Sequence, residues 1–416
     1  MSVSVTCPRR ILVVSPVPTH PADAGNRARV AALLDRLEGM NHLVHFAHVR
    51  MEEGDTGAMR SRWGNRYHSI PYRRPKKSFG RKIVDRTRQL FQPETAHMWH
   101  IDDWYDPSIE EPVLSLHAKH RFETVIVEYV FLSRLLKRFD DSVLKVIDTH
   151  DIFTDRHKLY LENGQRPPWF STSRAQEAKG LARADIIIAI QEEERQKLER
   201  ISGQRVVTIG HPVELASPQT RQQADTLLYI GSDNPINLSS IKHFIDHCFP
   251  AIQRERPDVQ LWIAGSICRK LDLQQKNVQK LGRVDDLTSL YSRADIVINP
   301  MRYGTGLKIK SMEALGQAKP LLTSPAGAAG MVAGEGKAFL VADSDDQWIR
   351  QSLRLLQDEP LRKRLAREAA AFAREWNRDI DRRLSQIMEG RATVEQEKAL
   401  SPELGNHAGM KNNQGM

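Results

Sequence analysis

The run Gly304-Thr305-Gly306-Leu307-Lys308-Ile309-Lys310-Ser311-Met312-Glu313 holds the residues best suited to chemistry. Gly304 and Gly306 let the backbone approach a ligand closely, and a helix starting near Leu307 offers unpaired N–H groups to an anion. Lys308 and Lys310 add positive charge at the same place. A carboxylate such as Glu313, about two turns into that helix, can grip two vicinal hydroxyls, because each oxygen accepts one hydrogen bond. Phosphate at the loop and ribose at the carboxylate together describe a nucleotide diphosphate. Taken alone, the same letters also fit a glycine-punctuated strand–helix turn with Glu313 and both lysines on a solvated face, since short motifs match by accident.

The elements that must position this run alternate between short β-branched strands and helical patterns, as in parallel βαβ units covered on both faces. Expected strands in the first half are Ile11–Pro16, Leu43–Val49, Thr124–Tyr129, Leu144–Asp148, Asp185–Ile190 and Val206–Ile209. A helix over Arg27–Leu37 places Val30, Leu33, Leu34 and Leu37 on one stripe. A second series follows, with Leu227–Gly231, Val259–Gly265, Asp295–Pro300, Pro320–Ser324 and Ala338–Val341. The chain has 416 residues, more than one hydrophobic core usually serves. The expected organisation is a first α/β domain over 1–210, a linker over 211–225, a second α/β domain over 226–345, terminal helices over 346–390 that can cross back, and a frayed, disordered tail over 391–416. Two such sheets facing each other make a ligand cleft at the carboxyl ends of their strands.

Composition narrows the class. With 40% hydrophobic and 27% charged residues the chain reads as a soluble globular enzyme. Its three cysteines, Cys7, Cys248 and Cys268, form no CxxC pair, and no His/Cys cluster has metal-ligand spacing, so a disulfide framework or zinc site is not expected. No apolar run is long enough to span a bilayer, which makes the cytoplasm the expected location. The net charge of +9 permits anionic partners without choosing among them. No nucleic-acid-binding motif accompanies it.

Order and spacing over about fifty residues carry a family resemblance: Gly282-Arg283-Val284-Asp285-Asp286-Leu287, then Tyr291 to Pro300, then the 304–313 run, then Ser324-Pro325-Ala326-Gly327-Ala328-Ala329-Gly330. This stretch resembles the donor half of the family-4 retaining glycosyltransferases (glycosyl transferases group 1). The resemblance implies a GT-B fold of two Rossmann-like, doubly wound parallel-sheet domains, and transfer of a sugar from a nucleotide-diphosphate sugar with retention of configuration. It also implies no metal and no cofactor beyond the sugar nucleotide as co-substrate. Glu313 would bind the donor ribose, with Gly304, Thr305, Gly306, Leu307 and Lys308 around the diphosphate. The chain departs from the usual pattern at Thr305, where relatives carry a second glutamate. It departs again in Gly231-Ser232-Asp233-Asn234-Pro235-Ile236-Asn237, where Gly231, Ser232 and Asn237 stand in a loop that often holds an Arg and a Lys. Lys308 and Lys310 would then neutralise most of the leaving diphosphate, as point charges.

The first half agrees. Ala24-Gly25-Asn26-Arg27 resembles the glycine loop facing the donor, so Gly25 and Asn26 join the expected donor contacts, although a simple β–α turn reads the same way. His150 and Asp151, after the strand ending at Asp148, are expected with Lys308 and Lys310 as catalytic residues. The resemblance puts His150 where relatives hold a histidine close to the transferred sugar, with Asp151 beside it; read alone, a single histidine is more often structural. The eight basic residues from Arg73 to Arg88, interleaved with Tyr72, Phe79 and Ile83, fit either a solvated basic loop or a peripheral contact with the inner face of an anionic membrane. Trp99, Trp104 and Tyr105 fit acceptor-sugar stacking or core packing. The Asp pairs 102–103 and 345–346 read as loop and helix-cap residues rather than metal ligands. The expected partners are a sugar nucleotide and a glycan or lipid-linked acceptor, in cell-envelope or exopolysaccharide synthesis. A sugar-nucleotide epimerase and a non-catalytic GT-B binding subunit are the alternatives.

Overall fold

Strands whose side chains are apolar on both faces must be covered on both, and both series of such strands form fully parallel sheets. The computed structural model describes residues 8–75, 93–167, 169–273, 275–304 and 306–389. Its first sheet comprises β1 (Arg10–Ser15), β2 (Leu43–Val49), β3 (Tyr67–Ile70), β4 (Thr124–Glu128), β5 (Leu144–Asp148), β6 (Ile186–Ala189) and β7 (Val206–Thr208), in the order β3-β2-β1-β4-β5-β6-β7. The second comprises β8 (Thr226–Ile230), β9 (Gln260–Ala264), β10 (Val278–Gly282), β11 (Ile296–Asn299), β12 (Leu321–Thr323) and β13 (Leu340–Val341), in the order β10-β9-β8-β11-β12-β13. Strand order reverses once in each sheet, between β1 and β4 and between β8 and β11. Loops leaving the carboxyl ends of those neighbours part and open a crevice.

The strands lie within two residues of their expected bounds, with two additions. β3 and β10 are edge strands absent from the sequence reading. In β3 only Tyr67 and Ile70 are buried, and β10 exposes Gln279 and Lys280, so neither shows the continuous apolar run of a central strand. The first helix runs Gly25–Gly39 and buries Val30, Leu33, Leu34 and Leu37, together with Arg29. The helix after the glycine run starts at Ile309, not Leu307, so Glu313 stands little more than one turn in. Ser344 caps the helix Asp345–Gln357, which places Asp345 and Asp346 in its first turn rather than at the cap.

No helix or strand lies between Thr208 and Thr226. The terminal helix Glu359–Glu389, about 46 Å long at 1.5 Å per residue, spans both halves. Its Leu361 and Leu365 enter the second-sheet core, Ala369 and Ala373 pack with Val213 and Leu315, and Ile380, Leu384, Ile387 and Met388 enter the first-sheet core. The helix also grips the connector. Asn377 accepts from the Val213 N–H at 3.1 Å and donates to its carbonyl at 2.8 Å, and Trp376 Nε1 donates to the His211 carbonyl at 2.9 Å. Cys248 and Cys268 are buried free thiols, and no described helix is long and apolar enough to cross a membrane. Cys7 and the 391–416 tail lie outside the described residues.

Candidate active site in the interdomain cleft

The loop after β11 and the loop after β8 meet at the switch point of the second sheet. Gly304 (φ 140°) and Gly306 (φ 74°) take backbone conformations that side-chain-bearing residues rarely adopt. That bend turns Lys308 inward, where it is buried and donates from Nζ to the Gly306 carbonyl at 2.5 Å. Lys310 points to the other loop, donating to Asn237 Oδ1 at 2.9 Å and to the Tyr229 hydroxyl at 3.1 Å. Asn237 Nδ2 in turn donates to the Ser232 carbonyl and Oγ, both at 3.1 Å. Gly231 is held by its neighbours, since a Cβ there would stand 2.8 Å from the Tyr229 ring. Burial holds Lys308 down to about 8, opposed by Asp151 and Glu194. Burial and then the like charge of Lys308 hold Lys310 down to about 7. Two desolvated ammonium groups side by side favour an arriving polyanion, which would restore their full charge.

Two helix starts face each other here. Neither Gly25–Gly39 nor Ile309–Gly316 has a side-chain N-cap, and a Cβ on Gly25 would stand 3.3 Å from Ile309 Cδ1. Their unpaired N–H groups add partial positive charge from both domains. Asn26 Oδ1 accepts from the Arg27 N–H at 3.0 Å. Leu307 is buried against the position a Cβ on Gly330 would take.

Glu313 is positioned by the connector. Its Oε1 lies 4.0 Å from Nε2 of the buried His211, and a quarter of its side chain remains accessible. Burial, then Glu214, raises its carboxyl to about 7. Burial and Arg29 hold His211 down to about 3, so that imidazole is neutral at physiological pH.

The opposing wall comes from β4, β5 and the helix Glu192–Ser202. His150 has a positive φ of 59°, stacks on Tyr129 at 4.3 Å and shares a 2.5 Å hydrogen bond between Nε2 and Glu128 Oε2. Nδ1 is the ring nitrogen that Glu128 does not engage. Asp151 accepts from Arg156 at 2.9 Å. Burial and the neighbouring Asp148 push the Glu128 carboxyl up. Glu128, Asp148 and His150 hold donor atoms within 4.8 Å of one another, a spacing a cation could use. Arg29 already supplies a cation there, donating to both Asp148 oxygens at 2.9 and 3.1 Å and to the carbonyls of Ile209 and Gly210.

The fold therefore brings Gly25, Asp151, Gly304, Gly306, Leu307, Lys308, Lys310 and Glu313 to one cleft, with Gly231, Ser232 and Asn237 behind Lys310. Thr305 lies outside the described residues. Four neighbours of these residues carried no local signal: Arg29, Glu128, Glu194 and His211. Glu194 in particular is one of three consecutive glutamates, and only helical phase buries it while Glu192 and Glu193 stay exposed. Acceptor stacking by Trp104 and Tyr105 does not survive, because both are buried in the first-sheet core. The basic segment starts pinned there, with the Tyr72 hydroxyl on the Trp104 carbonyl at 2.8 Å and Arg74 over the Trp104 ring at 4.4 Å. Its residues 76–88, including Phe79 and Ile83, lie outside the described residues.

Comparisons with known proteins point the same way. Residues 224–358 match the family described as glycosyl transferases group 1. The two-sheet architecture is that of solved GT-B structures. A sucrose-phosphate synthase from Thermosynechococcus elongatus superposes with a TM-score of 0.65 at 16% identity, covering 94% of this chain and 100% of that one. The pneumococcal O-GlcNAc transferase GtfA, in complex with UDP and GlcNAc, gives 0.63 at 11% identity over 92% and 99% of the chains. A curated protein of Klebsiella pneumoniae, an uncharacterized 44.6 kDa protein in the cps region, is 23% identical over 161 residues, 36% of this chain and 42% of that protein. The chain thus spans under half the length of that relative.

Proposed function

We propose, for this chain of GT-B fold with a glycosyltransferase group 1 segment in its second domain, that it is a retaining glycosyltransferase. It moves a sugar from a nucleotide-diphosphate sugar to a glycan or lipid-linked acceptor, without a metal, in cell-envelope or exopolysaccharide synthesis. The observation that supports this reading best is the placement of Lys308, Lys310 and Glu313 on one loop and helix that opens into the cleft between the sheets. Two lysines and two uncapped helix starts suit a diphosphate, and Glu313 suits vicinal ribose hydroxyls.

In this reading the diphosphate leaves towards Lys308 and Lys310 while the acceptor hydroxyl arrives on the same face of the sugar. The protein contributes preorganised positive charge and positioning, and needs no strong nucleophile. The departing β-phosphate takes the acceptor proton. His150, fixed by Glu128 and Tyr129, presents its ring edge to the sugar or acceptor. Two relatives of this fold were solved with UDP and a sugar, GtfA with GlcNAc and HepE of Anabaena with glucose, which makes UDP-sugars the first donors to try.

A thermal-shift panel of UDP-, GDP- and ADP-sugars is the test, because a ligand that binds only the folded state raises its melting temperature. Labelled donor is then followed into glycan or lipid-linked acceptors, with the product anomer read by NMR. Binding without transfer would replace the proposal with a binding subunit. Altered sugar nucleotide without acceptor would replace it with an epimerase.

A further inference from the structure

The wall opposite the glycine loop carries two carboxyl groups for which a diphosphate has no use. Glu194 lies in the first turn of the helix Glu192–Ser202, is 4% exposed, and has an Oε2 without a hydrogen-bond partner. Asp151 lies beside it, one residue past His150. Both face Gly306 from the other domain: a Cβ on Gly306 would stand 3.4 Å from Asp151 Oδ1 and 3.7 Å from Glu194 Oε1. The space between them is about that of one methyl group, the size of a hydroxyl.

A buried carboxyl oxygen with no donor is costly, and its persistence points to a ligand that brings one. A phosphate brings only acceptors, whereas a sugar hydroxyl brings a proton and can accept one in return. Position agrees with this. With ribose at Glu313 and the diphosphate at Lys310 and Lys308, the next group along the donor passes Gly306 and meets Asp151 and Glu194. We propose that Glu194, together with Asp151, binds hydroxyl groups of the transferred sugar, so that carboxyl recognition of that sugar comes from the first domain rather than from the glycine loop. The inference rests on the donor reading above. Burial, then Asp151, raises the Glu194 carboxyl to about 8, so it carries a proton at neutral pH and can donate as well as accept without repelling the diphosphate.

The competing role for Glu194 is that of a counter-ion to Lys308. The two roles differ in what removal does. Calorimetry on the full chain would compare the nucleoside diphosphate with the nucleotide-sugar that stabilises the wild type most. If Glu194 reads the sugar, Glu194→Ala leaves nucleoside-diphosphate affinity within about twofold and weakens the nucleotide-sugar by about tenfold or more. Glu194→Gln, which keeps a donor and an acceptor, falls between. If Glu194 is only a counter-ion, its removal frees Lys308 and tightens both ligands in parallel, which overturns the proposal. Equal affinity of wild type and variant for the nucleotide-sugar overturns it too. Should Glu194→Ala not fold, the near-isosteric Glu194→Gln and Asp151→Asn give the same contrast between ligands. Wild-type protein that binds no nucleotide at all removes the donor reading, and this inference with it, and is a separate outcome from unequal loss.

Discussion

His211 Nε2 lies 4.0 Å from Glu313 Oε1. A residue of the connector between the sheets thereby abuts the carboxylate on the helix Ile309–Gly316. The same histidine gives its backbone carbonyl to Trp376 on the terminal helix at 2.9 Å. Connector, terminal helix and the helix that carries Glu313 are therefore joined through one residue, and a change in domain angle would be felt at Glu313.

Burial raises Glu313 from 4.5 to about 7. A folded value above the unfolded one means that the native state holds the proton more tightly. The stability cost of the charged form is absent at low pH, grows as pH rises between the two values, and is complete above the folded one. Glu313→Gln removes it, so the variant should be more stable than wild type by about 2 kcal/mol near pH 8 and alike near pH 4. Nucleotide affinity should fall by about 100-fold with the loss of charge-assisted hydrogen bonds. Melting curves across pH and calorimetry with UDP check both halves; a variant that binds as tightly as wild type would remove Glu313 from the site.

Lys308 and Lys310, held down to about 8 and about 7, should regain protons when a diphosphate arrives. Affinity for UDP should pass through a maximum near pH 7, falling below it as Glu313 gains a proton and above it as Lys310 and then Lys308 lose theirs, by about tenfold per unit for each lysine. Lys310→Met should weaken UDP by about tenfold while leaving uridine unchanged. Equal losses for nucleotide and nucleoside would show that Lys310 supports the loop rather than the phosphates.

Arg29 and Asp148 form a fully buried pair, and Arg29 also holds two carbonyls at the start of the connector. Arg29→Met leaves Asp148 and Glu128 without their cation and should cost about 3–5 kcal/mol in urea unfolding. Adding Asp148→Leu should recover much of that loss, because a buried pair replaced as a whole by apolar groups is often neutral. A single variant as stable as wild type would contradict the assignment.

Asn377→Ala should leave the Val213 N–H and carbonyl unpaired, at a cost of about 2 kcal/mol. The connector between Thr208 and Thr226 should then be cut faster by a protease, with the first cuts mapped by mass spectrometry. Unchanged cleavage would mean that the apolar contacts of the terminal helix hold the connector without Asn377.

The sequence by itself determined what is local. Runs such as Ile11–Val14 and Ile296–Ile298 can only be doubly covered strands, so both sheets were legible. The 304–313 spacing places two glycines, two lysines and a glutamate within one loop and one helix start, so that half of the site was legible as well. Edge strands β3 and β10 were not, because half-exposed strands lose the apolar run that marks their neighbours. Tertiary structure alone decided which of the identical neighbours Glu192, Glu193 and Glu194 turns inward, that Trp104 and Tyr105 serve the core, and that Arg29 and Glu128 lie under the cleft. The reason is physical: periodicity and backbone preference act over a few residues, whereas the approach of Asp151 and Glu194 to Gly306 depends on how two separately packed sheets are held by one long helix.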